Sequence, residues 1–440
     1  MKTRAGTNGL IEWLKATEGC VLVLLLVQFV TGGAMAFYYV PSTDHAYITV
    51  SFIEKALSSG SWIRSLHHYG SQWLALFAFL HLLRLGLTEA YKQSKVQWLA
   101  AVLLLTLVMS AGATGYSLPW DARAFFSTRI AEGLLGGLPF LGRLARLWLL
   151  GGTDISTLTL SRFFALHVLV IPFAILILLG WRLMKFQRVH RQAVTHNAVA
   201  AGVIFISLAI WSLKFPAPFG PSVSQVTADY LPRPGPQFLW LYETLKHLPG
   251  GLGSIAGVVI PGLVLMALVS VPWVDRIGLK RLSANPQRLV SGVLLLGIAF
   301  WVVTMTVTAY LSDWRDPRTR QQLAKQAAAE KAFRNASFSP GFLSVADQSD
   351  TDDHPKSGPP PYVQFCANCH GHHGEGATQG QLRFPPLIGV ATKPQRTVND
   401  IVGLLNDPRA FGLQPPMRSF ATKLTEAEKR EIAEWIVTLK

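Results

Sequence analysis

The sequence predicts an all-α protein: a bundle of seven membrane-spanning helices followed by a small helical domain at the carboxyl end. Three observations lead there. Half of the residues are apolar, only 15% are charged, and the apolar ones gather into blocks long enough to cross a bilayer. The basic residues behind the formal charge of +15 sit largely in the short connectors between those blocks, the pattern of membrane topology rather than of a nucleic-acid surface. After Ser312 the composition turns charged and then Ser/Asp/Pro-rich, and a separate small domain begins near Tyr362. The partner implied is the lipid bilayer, with no nucleic acid. Three cysteines give no disulfide framework, and no cleavable signal peptide is evident ahead of the first span.

A basic, amphipathic entry over residues 1–19 leads into a first span at 20–39, and the second covers 62–84. The third, 97–116, ends in GYSLPWDARAF, where Pro119 has no amide hydrogen with which to continue a helix. A Gly-rich, partly apolar connector at 121–156 reads as short interfacial helices. Spans four to seven follow at 162–181, 197–213, 254–273 and 289–311. Alternate connectors are basic: Lys2, Arg4 and Lys15; Lys92 and Lys95; Lys185, Arg188 and Arg191; Arg276, Lys280, Arg281 and Arg288. The positive-inside tendency puts these in the cytoplasm. It leaves the carboxyl end of a seven-span chain in the periplasm, beyond the cell inner membrane.

The second span carries two histidines, His67 and His81, inside an apolar run. Their spacing of 14 residues amounts to roughly 21 Å of helix and keeps them within about 40° of one face. A single histidine in a membrane helix often does no more than bond a neighbouring carbonyl, but a stacked pair on one buried stripe suits two haems, whose axial ligand is commonly imidazole. The fourth span adds His167. Arg64 and Arg84 bracket the stripe, where they can meet haem propionates.

Beyond the last span, RDPRTRQQLAKQAAAEKAFR reads as one exposed helix, and PKSGPPP closes an extended spacer. The small domain then opens with Cys366-Ala367-Asn368-Cys369-His370. In this CxxCH arrangement both thiols bond haem vinyl groups and the histidine becomes an axial ligand. Zinc would need further cysteines that the chain lacks. Met417, in LQPPMRSF, is the expected sixth ligand, with His372 and His373 as rivals placed close to the attachment helix. Pro385 and Pro386 shape a loop that bonds the proximal histidine. An amphipathic helix at 425–439 brings Trp435 onto the haem. Such attachment takes place outside the bacterial cytoplasmic membrane, in agreement with the charge-derived topology.

These residues carry a resemblance. LLVQFVTGGAMAFYY, WIRSLHHYG with HLLR, TGYSLPWD and TLSRFFALHVLVIP resemble motifs of cytochrome b in the bc and bf quinol:cytochrome c oxidoreductases. Spans five to seven resemble the separate subunit IV of the bf complexes, and the segment from Phe365 resembles a class I cytochrome c. The domains implied are a cytochrome b-like part at 1–195, a subunit IV-like part at 196–312, a linker with its helix at 313–360 and a cytochrome c domain at 361–440. The resemblance implies that His67 and His167 ligate an outer haem b, that His81 ligates an inner one, and that Arg64 and Arg84 meet propionates. It also implies that Gly32 and Gly115 let helices approach the porphyrins. Cys20 lies one helical turn from the place where bf-type proteins attach an extra haem, and reads as a small core thiol.

Two departures qualify this. The fourth span should offer a second histidine 14 or 15 residues after His167, where the chain has Trp181 and Arg182. The family's PEWY quinol-site motif aligns with Pro234-Gly235-Pro236-Gln237, so its glutamate is missing, and Glu243 is the nearest carboxylate. The cofactors expected are one haem b, a second only if the inner site finds another ligand, and one covalent haem c. Two functions fit. One is an electron-transfer subunit of a bc-like complex, working with a quinone, a Rieske-type iron–sulfur protein or other respiratory subunits, and c-type cytochromes. The other is a non-bifurcating membrane anchor and relay that oxidises no quinol at its outer site. A scaffold that has lost its membrane haem is disfavoured by the retained His67 and His167.

Overall fold

The structure is a computed structural model, described over residues 16–152, 154–184, 191–223, 230–248, 252–274, 286–338, 358–371, 373–379, 382–391, 396–408, 410–411 and 419–439. The chain forms two compact units, Met1–Pro340 and Gly341–Lys440.

In the first unit, seven helices among the described residues are long and apolar enough to cross a membrane. Helices satisfy their backbone groups internally, as lipid demands. Span one is α1 (Thr17–Ala36), and α2 (Ala46–Lys55) follows outside the spans. Span two is α3 (Gly60–Leu87), longer at both ends than its apolar core suggests. Span three is α4 (Lys95–Tyr116), started by Ser94, whose hydroxyl accepts from the Gln97 amide. The connector expected as short helices holds α5 (Ala122–Gly136), capped by Asp121, and α6 (Gly142–Leu150).

Span four is interrupted. α7 (Thr157–Phe164) passes into a π turn (Ala165–Val170) and then into α8 (Ile171–Met184). Pro172 has no amide hydrogen and its ring crowds the carbonyl one turn back. The ladder widens there, and Ile171 donates to Leu166 five residues before it. The remaining spans are carried by α9 (Arg191–Lys214), α11 (Leu252–Val274) and α12 (Pro286–Arg315), with the short α10 (Leu239–Lys246) between the first two.

Leu24, Leu66, Leu74, Val108, Ile171 and Leu208 form one buried cluster inside the bundle. A second joins Leu82, Trp98, Leu268, Val271 and Leu295, where the Trp98 indole donates to the Leu268 carbonyl at 2.8 Å. Large apolar side chains such as Leu26, Phe173, Ile206 and Phe300 point outward, which is no penalty where lipid is the solvent. The end of the bundle near Ala36, Gly60 and Tyr116 is termed outer, in keeping with the charge rule.

After the last span, Asp316 caps α13 (Pro317–Asn335), with Pro317 at its first position. This helix is exposed, as expected, with no buried residue, but one face is tied to its own unit: Gln326 bonds both the amide and the carbonyl of Leu231, Glu330 pairs with Arg123, and the Lys55 ammonium donates to the Phe333 carbonyl. Positions 326, 330 and 333 share one helical face. Because that face is mixed rather than apolar, hydropathy hid it.

The second unit holds α14 (Pro360–Phe365), α15 (Ala367–His370), α16 (Val398–Asn406) and α17 (Glu426–Thr438). Capping boxes start the last two, Thr397 with Asp400 and Thr425 with Glu428. Tyr362, Ile401, Leu405, Ile432 and Ile436 make the core. The helical prediction missed a small antiparallel hairpin, β1 (Ala377–Gln379) with β2 (Leu382–Phe384), pairing Thr378 with Arg383.

Candidate functional site

His67 projects from α3 and His167 from the π turn, and their rings meet with centroids 5.9 Å apart at 74°. Hydrogen bonds set both tautomers. The Thr31 hydroxyl spends its single hydrogen on the Val27 carbonyl, so at 3.0 Å from His67 Nδ1 it accepts. His167 Nδ1 lies 2.9 Å from the Ala111 carbonyl, which can only accept. Both rings therefore carry hydrogen on Nδ1 and a lone pair on Nε2, the state in which imidazole binds a metal. Gly32 and Gly115 make room. A Cβ on Gly32 would come within 2.9 Å of His67 Cε1, and one on Gly115 within 2.4 Å of His167 Cε1.

The two rings line a cavity of about 410 Å³, together with Gly32, Gly115 and many apolar side chains, a size ordinary for a cofactor or ligand pocket. Among the described residues no cluster of three or more His, Cys, Asp or Glu could hold a bare metal ion. Two facing imidazoles then need a group that brings its own equatorial ligands, which is what haem does. The residues fit haem.

Arg64 lines the cavity but is already engaged. Its Nε pairs with Glu54 at 2.6 Å, both side chains nearly buried, and Nη2 donates to the carbonyls of Ala217 and Pro218. Sequence reading missed Glu54, ten residues back across a turn, and also Arg123, which lines the cavity and pairs with Glu330 of α13. The DAR following Pro119 was the available signal for Arg123. Asp121 is spent on the amides of Ala124 and Gly220.

At the loop where the glutamate is missing, Gln237 faces the cavity with its amide 3.4 Å from the place a Gly112 Cβ would take, and its buried Oε1 has no hydrogen-bond partner. Gln28 Nε2 on α1 is likewise buried and unbonded. Glu243 does not line the cavity. It is buried and pairs with Lys246 at 2.6 Å.

The other predicted residues lie elsewhere. His81 sits toward the inner end with Nδ1 3.4 Å from the Thr17 hydroxyl, close to the Glu18–Arg182 ion pair, and Arg84 Nε is buried nearby without a hydrogen-bond partner. Cys20 is buried in the bundle. In the second unit Cys366 is buried at the start of α15, and His370 Nδ1 lies 2.9 Å from the Pro385 carbonyl, on the expected loop. Trp435 packs on Tyr362 at 4.3 Å between centroids. Met417, His372 and the Cys369 side chain lie outside the described residues.

Comparison with known proteins follows the same division. Residues 7–193 match the family model described as "Cytochrome b/b6/petB", and residues 357–440 match "Cytochrome c". Cytochrome b6 of Prochlorococcus marinus (strain MIT 9303) is 35% identical over 178 residues, covering 40% of this chain and 80% of the relative. The chain belongs to the cytochrome b/b6 family. Cytochrome b6 of Mastigocladus laminosus is 34% identical over 178 residues, 40% of this chain and 81% of its own. A solved "Hyperthermophilic respiratory Complex III" chain shares the fold, with a TM-score of 0.55 at 20% identity, covering 73% of this chain and 89% of that one. The cytochrome b and cytochrome c domains imply haem b and haem c, and make this a multi-pass membrane electron-transfer subunit related to bc complexes.

Proposed function

We propose that this cytochrome b passes electrons between a quinone pool, or another membrane redox partner, and a c-type cytochrome, as one subunit of a bc-like complex in the cell inner membrane with its carboxyl-terminal domain in the periplasm. His67 and His167 hold haem b. Cys366 and Cys369 attach haem c, with His370 and Met417 as its axial ligands. When bound, each haem supplies an iron that takes and gives one electron at a time. The observation that carries the reading is the pair of facing imidazoles, each fixed as the Nδ1–H tautomer by its own acceptor.

The remaining cavity residues suit a quinone or quinol head group. Gln237 Oε1 offers a buried acceptor and Gln28 Nε2 a buried donor. Neither amide can take a proton at neutral pH, unlike the carboxylate suited to that task. A Rieske-type iron–sulfur protein and other respiratory subunits are the expected neighbours.

The full-length chain tests this. His67→Ala and His167→Ala should each remove the b-type haem while haem c survives, and Cys366→Ser with Cys369→Ser should do the reverse. Full b-haem content in both histidine variants would overturn the assignment.

A further inference from the structure

The outer site has an inner counterpart that can be written down from helix geometry alone. A step of 14 residues along a span returns to nearly the same face about 21 Å away. From His67 that step leads to His81, from Gly32 to Glu18, and from Gly115 to Ala101. In span four the π turn takes up one additional residue, so the counterpart of His167 falls 15 residues on, at Arg182. An imidazole is thus matched by an imidazole, while one glycine has become a glutamate, the other an alanine, and the second imidazole an arginine.

Two of these replacements meet. Arg182 Nη2 lies 3.0 Å from Glu18 Oε1, joining span four to span one at the inner end of the bundle. The third inner position, His81, is turned toward the Thr17 hydroxyl beside Glu18. Ala101 is buried in the cluster with Leu82, Trp98 and Val271, and carries a methyl where Gly115 has none to meet His167.

We infer that the Glu18–Arg182 ion pair closes the inner end of the bundle to haem, so that the chain holds a single b haem, at its outer end. The family's second haem does not fit these residues. A guanidinium stays protonated and has no lone pair to offer iron. Glu18 puts a charged side chain, already neutralised by Arg182, where the outer end has only a glycine hydrogen. His81 alone is left as a ligand. With no relay over the inner half of the spans, electrons enter and leave on the outer side, and the chain moves none across the bilayer. This rests on the outer-haem reading above.

The first test is a pyridine haemochrome count on purified full-length protein. One b haem per c haem is expected, and two per c haem would overturn the inference while leaving the outer-haem reading intact. Full b-haem retention in both His67→Ala and His167→Ala would sink that outer reading itself. His81→Ala should leave the b-to-c ratio and the b-haem redox midpoint unchanged, and a loss of b haem there would overturn the inference. The triple variant Glu18→Gly, Ala101→Gly, Arg182→His should rise toward two b haems per c haem, with the added haem titrating separately. If that variant does not fold, the wild-type and His81→Ala counts still decide. If it folds and stays at one, something other than the ion pair closes the site and the assignment to Glu18 and Arg182 fails.

Discussion

On the proposed haem sites, the two units prepare a histidine for iron in opposite ways. In the carboxyl-terminal unit the two thiols proposed for attachment and the histidine stand within five consecutive residues, Cys366 to His370, and one loop carbonyl, that of Pro385, fixes the ring. In the membrane unit the two rings come from positions 67 and 167, and each needs its own acceptor and a glycine from a further helix. A local site depends little on the exact packing of spans. A distributed one fails whenever any supporting helix moves, and the difference can be measured.

The largest effect is expected from Gly115→Val. Since even a Cβ there would approach His167 Cε1 to 2.4 Å, the ring must leave and the b haem with it, while haem c stays. Gly32→Ala, with 2.9 Å to His67 Cε1, should weaken the b haem less. Visible spectra of the purified chain would show both. Equal losses in the two variants would break the argument that steric approach ranks them.

Next comes Glu54→Ala. It strands the Arg64 guanidinium in a buried site, and breaking such a pair costs about 3–5 kcal/mol. Thermal unfolding should show the membrane unit melting earlier with the cytochrome c unit unchanged. Thr31→Val is smaller. It leaves the His67 Nδ1–H without its acceptor at a cost of about 1–3 kcal/mol, read as weaker retention of b haem on dilution.

The smallest effect is one of pH and belongs to the second unit. Hydrogen bonds from Thr397 hold Asp400 below the usual carboxylate range, and those from Thr425 do the same for Glu428. Both folded values are depressed, so their stabilisation is present above the unfolded carboxylate value, about 4, and is lost as the pH falls through the folded values. Acid melts followed at the haem c band should lose this portion in Asp400→Asn and Glu428→Gln.

What was legible in the sequence follows the same line between local and distributed. The spans, the CxxCH segment, the terminal helix and the Pro385 loop are each written in a short stretch and read from it. The partners of Arg64 and Arg123 were not, because Glu54 lies beyond a turn and Glu330 is 207 residues away on a helix whose charged composition looked solvated. Glu243 could be named as the nearest carboxylate, but only packing shows that Lys246 claims it. The π turn was half visible: Pro172 could be seen, while the extra residue it absorbs could not.

That turn also works as a length buffer. A single residue removed between His167 and Ile171 would take out the surplus residue that the turn holds, and Arg182 would still arrive opposite Glu18. The same deletion a few residues further along α8 has no such slack and would swing everything after it by about 100°. Arg182 would then point away from its partner. Span four can thus change its length at one place without changing what its inner half says to span one.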